Sequence, residues 1–125
     1  MGDSGKLEGE VTFGGILPGL ALDTVYYQRL MEEDFWWLEV SEIKMGAETA
    51  YKRSLAASLD TGTETIIGPK DVVNSINCQL PIVERTATGV EVMCDNIHQL
   101  PNITFVFGNY GATISYKEYI KIVSL

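Results

Sequence analysis

The sequence predicts an all-β domain with one short helix. Three observations carry that reading. Aromatic and β-branched residues recur in short runs, some of the runs alternate with a period of two, and only the stretch after Gly68-Pro69 changes to a helical period. At 125 residues the chain is read as a single domain, 1–125, long enough to bury a core. Its 46% hydrophobic and 21% charged content is that of a folded chain rather than a disordered one.

The elements follow in order. "EVTFGG" (10–15) is a β-prone run stopped by paired glycines, and "LALDTVYYQRL" (20–30) a second run rich in aromatic and branched residues. In "FWWLEVSEIKM" (35–45), Phe35, Trp37 and Glu39 alternate with Trp36, Leu38 and Val40, which suits a sheet with two unlike faces. The acidic run Met31-Glu32-Glu33-Asp34 is the turn between these strands. "SLAAS" (54–58) reads as a small-residue strand of the buried type. After Gly68-Pro69, Val72, Val73 and Ile76 share one face of a helix about two turns long, with proline in its first turn. "PIVERTATGVEVMC" (81–94) reads as two strands around Thr88-Gly89. "PNITFVFGNYGATISY" (101–116) is the clearest hairpin, reversing at Gly108-Asn109.

Charge and composition exclude several classes. A net charge of −8 and a pI near 4.5 disfavour nucleic acid, which is bound through Lys and Arg. The same acidity suits an acidic compartment, where protonation relieves self-repulsion. No stretch approaches the ~20 apolar residues of a membrane helix, so no membrane partner is expected. "MGDSGKLEGE" has no apolar signal region, and Lys6 stands where a myristoylation site needs Ser or Thr, so the start reads as an artificial beginning or an internal segment of something longer. Cys78 and Cys94 are too few for a metal site. They are free to pair with each other or with partners outside the chain.

"SLDTGTETII" (58–67) is the chemically suggestive stretch. Asp60 sits at a strand–turn transition, where Gly62 lets the backbone pass close to the carboxylate and Thr63 can donate to one of its oxygens. Such donors hold an ionised carboxylate in a fixed orientation. The plain alternative is an Asx-turn closing a β-connection. Asp-Thr-Gly arises by chance in roughly 3 of 100 chains of this length, so its surroundings have to decide between the two.

Those surroundings resemble the C-terminal lobe of the pepsin-like (A1 family) aspartic proteases. Four landmarks match in the family's order. They are the Gly-Glu-apolar-Thr-Phe-Gly-Gly strand at Gly9 to Gly15, the aromatic-Trp strand at Phe35-Trp36, Asp-Thr-Gly-Thr at Asp60 to Thr63 leading to Gly68-Pro69, and Cys94 followed by Leu100-Pro101 and the alternating strand Ile103 to Phe107. The resemblance covers nearly the whole chain. It implies a truncated single lobe of the bilobal acid-protease fold, with one short helix after the Asp-Thr-Gly loop. It further implies peptide hydrolysis at acid pH by two carboxylates that share one proton. Asp60 is then one catalytic aspartate, with Thr61, Gly62 and Thr63 in support, no cofactor and no metal. Partners would be a peptide or protein substrate and either a complementary N-terminal lobe or a second copy of the chain. The compartment would be secreted, or acidic of the lysosomal or vacuolar type.

Several positions depart from the family pattern. Asp23-Thr24 is followed by Val25, so it lacks the glycine turn, and the N-terminal lobe that would bring a second Asp-Thr-Gly and a flap tyrosine is not in this sequence. Neither is the closing apolar-apolar-Gly segment, so the sheet under Asp60 is expected to keep edges that need covering. Glu64 stands where serine is usual, on the substrate side, and is expected to raise the Asp60 pKa or alter substrate choice. Cys94 matches a family cysteine whose usual partner lies in that closing segment, which leaves it free or paired with Cys78. Asn102-Ile103-Thr104 is a glycosylation sequon if the chain is secreted. His98 reads as a surface loop residue, Trp36 and Trp37 as one core and one surface aromatic. Outside hydrolysis, the competing reading is an inactive family member that binds peptides or proteins, or acts as a secreted antigen-like domain.

Overall fold

Alternation in two short runs builds the centre of the molecule. The computed structural model describes residues 11–17, 19, 24–87 and 89–122. Along β2 (Glu42–Met45), Ile43 and Met45 point inward, and along β7 (Ile103–Phe107), Ile103 and Phe107 do the same with Phe105 between them partly buried. The two strands pair antiparallel, Met45 opposite Ile103, in a four-stranded sheet of order β3-β2-β7-β8, where β3 is Glu48–Tyr51 and β8 is Tyr110–Ile114. The predicted hairpin is present. Phe107 pairs with Tyr110 across Gly108-Asn109, and Gly108 takes a φ of +56° that a two-residue reversal asks of glycine.

Helix α1 (Lys70–Asn77) covers this sheet. Pro69 precedes it in an extended conformation and caps it from outside, rather than lying in its first turn, and its carbonyl accepts the Val73 N–H at 3.0 Å. Val72 and Ile76, one turn apart, join Val40, Ile43, Met45, Ile103 and Phe107 in the core. Each such side chain contributes about 1.5–3 kcal/mol by leaving water.

The run 35–45 is two strands, not one. β1 (Trp37–Val40) pairs with β4 (Leu55–Ser58) in a separate two-stranded sheet, and the chain changes sheets at Ser41. There the Ser41 N–H and hydroxyl both donate to the Val106 carbonyl, at 2.9 and 3.3 Å. Among the described residues β4 pairs with β1 alone, so one of its edges stays open. Leu55 and Ala57 are half-buried while Ala56 and Ser58 are exposed, so it is not the buried strand that its small residues suggested. Neither tryptophan is core: Trp36 is 80% exposed, and Trp37, 37% exposed, stacks on Phe35 at 4.6 Å.

Other expectations shift as well. Residues 11–15 form no strand, and Phe13 is 91% exposed; Glu10 lies outside the described residues. In the second run, residues 20–23 are likewise outside. Residues 24–29 lie in no strand, and Leu30 alone makes a bridge, to Leu38, because β-propensity becomes a strand only where a partner backbone is available. The acidic run is the expected turn, closed by the Met31 N–H on the Trp37 carbonyl at 2.8 Å. β5 (Ile82–Arg85) and β6 (Val90–Val92) form the expected hairpin, with the Thr86 N–H on the Gly89 carbonyl at 3.0 Å; Thr88 lies outside the described residues. The single expected helix has company. A 3-10 helix spans Cys94–Gln99 and includes His98, and α2 spans Tyr116–Tyr119. Ser115 opens α2 by donating its N–H and its hydroxyl to the Glu118 carboxylate, the N–H at 2.7 Å. Tyr119 then ties α2 to the start of β7, its hydroxyl donating to the Pro101 carbonyl at 2.6 Å.

Candidate active site

β4 delivers Asp60. Its last residue, Ser58, sits opposite Trp37 of β1, and the chain leaves the sheet through Leu59 into a turn at Thr61-Gly62. The Gly62 N–H donates to Asp60 Oδ1 at 2.8 Å, and the Thr63 hydroxyl donates to Oδ2 at 2.7 Å. The Thr63 N–H closes the turn on the Asp60 carbonyl at 3.3 Å. Both carboxylate oxygens are therefore held by groups within three residues. The need for glycine is local, since a Cβ at Gly62 would stand 3.2 Å from Oδ1.

These contacts set the electrostatics. The Thr63 hydroxyl, and after it the Gly62 N–H, hold the Asp60 carboxyl below the ordinary aspartate range, because both donate to its charged form. The expectation that Glu64 would raise this pKa is not met. Glu64 lies 4.0 Å from Lys121, and both side chains are more than four-fifths exposed, so their attraction is weak. Thr61 is exposed and makes no hydrogen bond to a described residue; of the three supporting residues, Gly62 and Thr63 reach the carboxylate.

The turn lies in the open. Every residue from Ser58 to Lys70 is exposed, with Leu59 at 73% and Ile67 at 80%. Beside it runs an apolar groove of about 510 Å³, lined by Tyr26, Tyr27, Leu38, Leu59, Phe107 and Tyr110 among others. Tyr26 stacks on Tyr110 at 4.3 Å across the groove wall, and Leu59, the residue before Asp60, lines the groove. Sequence reasoning missed this feature. Its signal was the exposed aromatic pair Tyr26-Tyr27 together with the tyrosine just past the Gly108-Asn109 reversal.

The remaining candidates lie elsewhere. Cys78, at the end of α1, and Cys94, opening the 3-10 helix, are free and exposed, so the two form no bridge with each other. His98 is exposed beside Gln99. Asn102 is exposed immediately before β7. Among the described residues no group of three or more His, Cys, Asp and Glu is arranged to hold a metal, and no helix is long and apolar enough to cross a membrane.

Comparison with known proteins gives a consistent outcome. A family model described as eukaryotic aspartyl protease matches residues 1–124. The aspartic protease Bla g 2 of Blattella germanica is 32% identical over 120 residues, covering 94% of this chain and 34% of that protein. Pepsin A of Gallus gallus is 26% identical over 121 residues, covering 96% of this chain and 32% of its own length. The vacuolar aspartic protease of Candida albicans is 28% identical over 116 residues, with 93% and 28% covered. The chain thus spans about a third of the length of the curated relatives it matches.

Proposed function

The chain belongs to the eukaryotic aspartyl protease family, and from that premise we propose that it supplies half of an acid endopeptidase active site. Asp60 is one of the two catalytic aspartates, and the chain corresponds to the C-terminal lobe. The observation that carries this reading is the Asp60 carboxylate held on both oxygens by Gly62 and Thr63, at the Asp-Thr-Gly position of a chain that matches the family from residue 1 to 124.

The chemistry follows from that arrangement. A second aspartate, brought by a complementary lobe or a second copy of the chain, cannot ionise at close range to Asp60, so the pair shares one proton. The charged member draws a proton from a water, and the water attacks the scissile carbonyl. The protonated member donates to the carbonyl oxygen as its charge develops. Donors from Gly62 and Thr63 favour Asp60 as the charged member. The Leu59 groove accepts apolar side chains of an extended peptide, the substrate class favoured here. An acidic setting, secreted or of the vacuolar or lysosomal type, keeps one proton on the dyad, in line with the vacuolar relative.

The test uses the two-lobed protein or this chain reconstituted with a complementary lobe. Cleavage of an extended apolar peptide at acid pH should fall at least about 10³-fold in Asp60→Asn, with folding unchanged. Undiminished cleavage would remove Asp60 from the mechanism. Activity of the chain alone, sedimenting as a dimer, would assign the second aspartate to another copy. A second reading, peptide binding without hydrolysis, is favoured by one observation: Glu64, an exposed carboxylate, follows the turn from Asp60 to Thr63 where serine is usual. Binding of the same peptide by the reconstituted protein, with no cleavage at any acid pH, would select it.

A further inference from the structure

We propose that Asn102 carries an N-linked oligosaccharide, attached before β7 pairs with its neighbours. The proposal rests on the secretory part of the compartment reading above and on nothing in the catalytic reading. Among the five asparagines, at 74, 77, 96, 102 and 109, only Asn102 is followed by any residue and then Ser or Thr. It heads Asn102-Ile103-Thr104, with isoleucine and not proline in the middle.

The structure suits a bulky group at this position. Asn102 is exposed, and its side chain makes no hydrogen bond to a described residue, so a sugar on it displaces no native contact. The backbone on either side is pinned. The Asn102 carbonyl accepts the Gly46 N–H at 2.8 Å, and the Pro101 carbonyl accepts the Tyr119 hydroxyl at 2.6 Å. The amide is therefore presented from a fixed point beside the β2–β3 turn. It also lies at the end of β7 away from the groove. From Asn102 to Phe107, which lines that groove, is five residues, or about 17 Å of strand. A glycan there starts from the far end of the strand whose Phe107 lines the groove.

The timing follows from Thr104. In the folded chain its hydroxyl shares a 2.8 Å hydrogen bond with Thr113, and its backbone sits in β7 between Lys44 of β2 and Thr113 of β8. Ile103, the middle residue, is 2% exposed in the core. A transferase needs the triplet as a free segment, so it meets the acceptor only before the sheet closes. In the step itself, the Asn102 amide nitrogen attacks the anomeric carbon of a lipid-pyrophosphate-linked oligosaccharide. A C–N bond forms, the C–O bond to pyrophosphate breaks, the lipid pyrophosphate leaves and the amide loses one proton.

The test expresses the chain behind a secretory leader in eukaryotic cells and pools membranes with medium. One increment of mass, removed by peptide N-glycanase with conversion of Asn102 to aspartate, is expected. Asn102→Gln and Thr104→Ala should abolish it, and Thr104→Ser should keep it. The increment needs no activity, so Asp60→Asn should show it in full even if the protease reading fails. In a second arm, folded chain offered to the transferase with donor should stay unmodified while urea-unfolded chain is modified. Absence of the increment, or its survival in Asn102→Gln, overturns the site; modification of the folded chain overturns the order of events.

Discussion

The sheet under α1 and the turn that carries Asp60 are built from similar residues and held in opposite ways. In the sheet, Val40, Ile43 and Ile103 are at most 3% exposed, and their position depends on strands far apart in sequence. In the turn, Leu59, Ile66 and Ile67 are 48–80% exposed, and the geometry depends on hydrogen bonds spanning two or three residues. One region is ordered by burial, the other by local donors. Damage to the first should therefore read out as stability and damage to the second as chemistry, with little leakage between them.

The largest expected separation is Asp60→Asn in the two-lobed protein, where activity falls at least about 10³-fold while the denaturation midpoint at neutral pH barely moves. An equal loss of stability would mean the turn is part of the core after all. Next comes Ile43→Ala, which removes a side chain 3% exposed at the centre of the sheet. Urea unfolding should show a loss of about 2–4 kcal/mol. NMR of the remaining folded protein should still show the Asp60 carboxyl below its usual pKa.

Thr63→Val sharpens the local side. Removing the first donor lets the Asp60 pKa rise back toward 3.8, so the acid limb of a kcat/KM profile should move to higher pH. The sign for stability follows by linkage. With its pKa depressed on folding, Asp60 contributes fully above the unfolded value and loses that contribution as pH falls through the folded one. Because the carboxylate is exposed, parent and variant should differ only slightly at neutral pH and converge in strong acid. Gly62→Ala should act more weakly in the same direction, since a Cβ 3.2 Å from Oδ1 pushes the carboxylate off its N–H. Smallest is Glu64→Ser. Its exposed 4.0 Å pairing with Lys121 predicts no measurable change in the unfolding midpoint, only a change in which peptide side chains are preferred.

Local features were legible in the sequence. The Gly108-Asn109 hairpin, α1 after Gly68-Pro69, the acidic turn and the donors on Asp60 each depend on residues a few positions apart, and each is present. β3 was not read, because in Glu48-Thr49-Ala50-Tyr51 two strand-favouring residues alternate with two that are not, and the run becomes a strand by pairing with β2 across Gly46, whose φ is +61°. The break at Ser41 was invisible for the same reason, since its partner, the Val106 carbonyl, lies 65 residues away. α2 was missed although Ser115 and Glu118 spell its start, and the groove escaped because Tyr26, Leu59 and Tyr110 meet only in the fold.

The sequence by itself determined a mostly-β chain with short helices, the family and the donors beside Asp60, because a carboxylate, a glycine and a threonine within four residues need only a local turn to bring them together. Tertiary structure alone decided which runs became strands, which aromatics stayed in water and that Leu59, next to Asp60, lines an apolar groove. Those outcomes depend on which distant backbone or side chain is there to pair with, and a single run of residues carries no record of its partners.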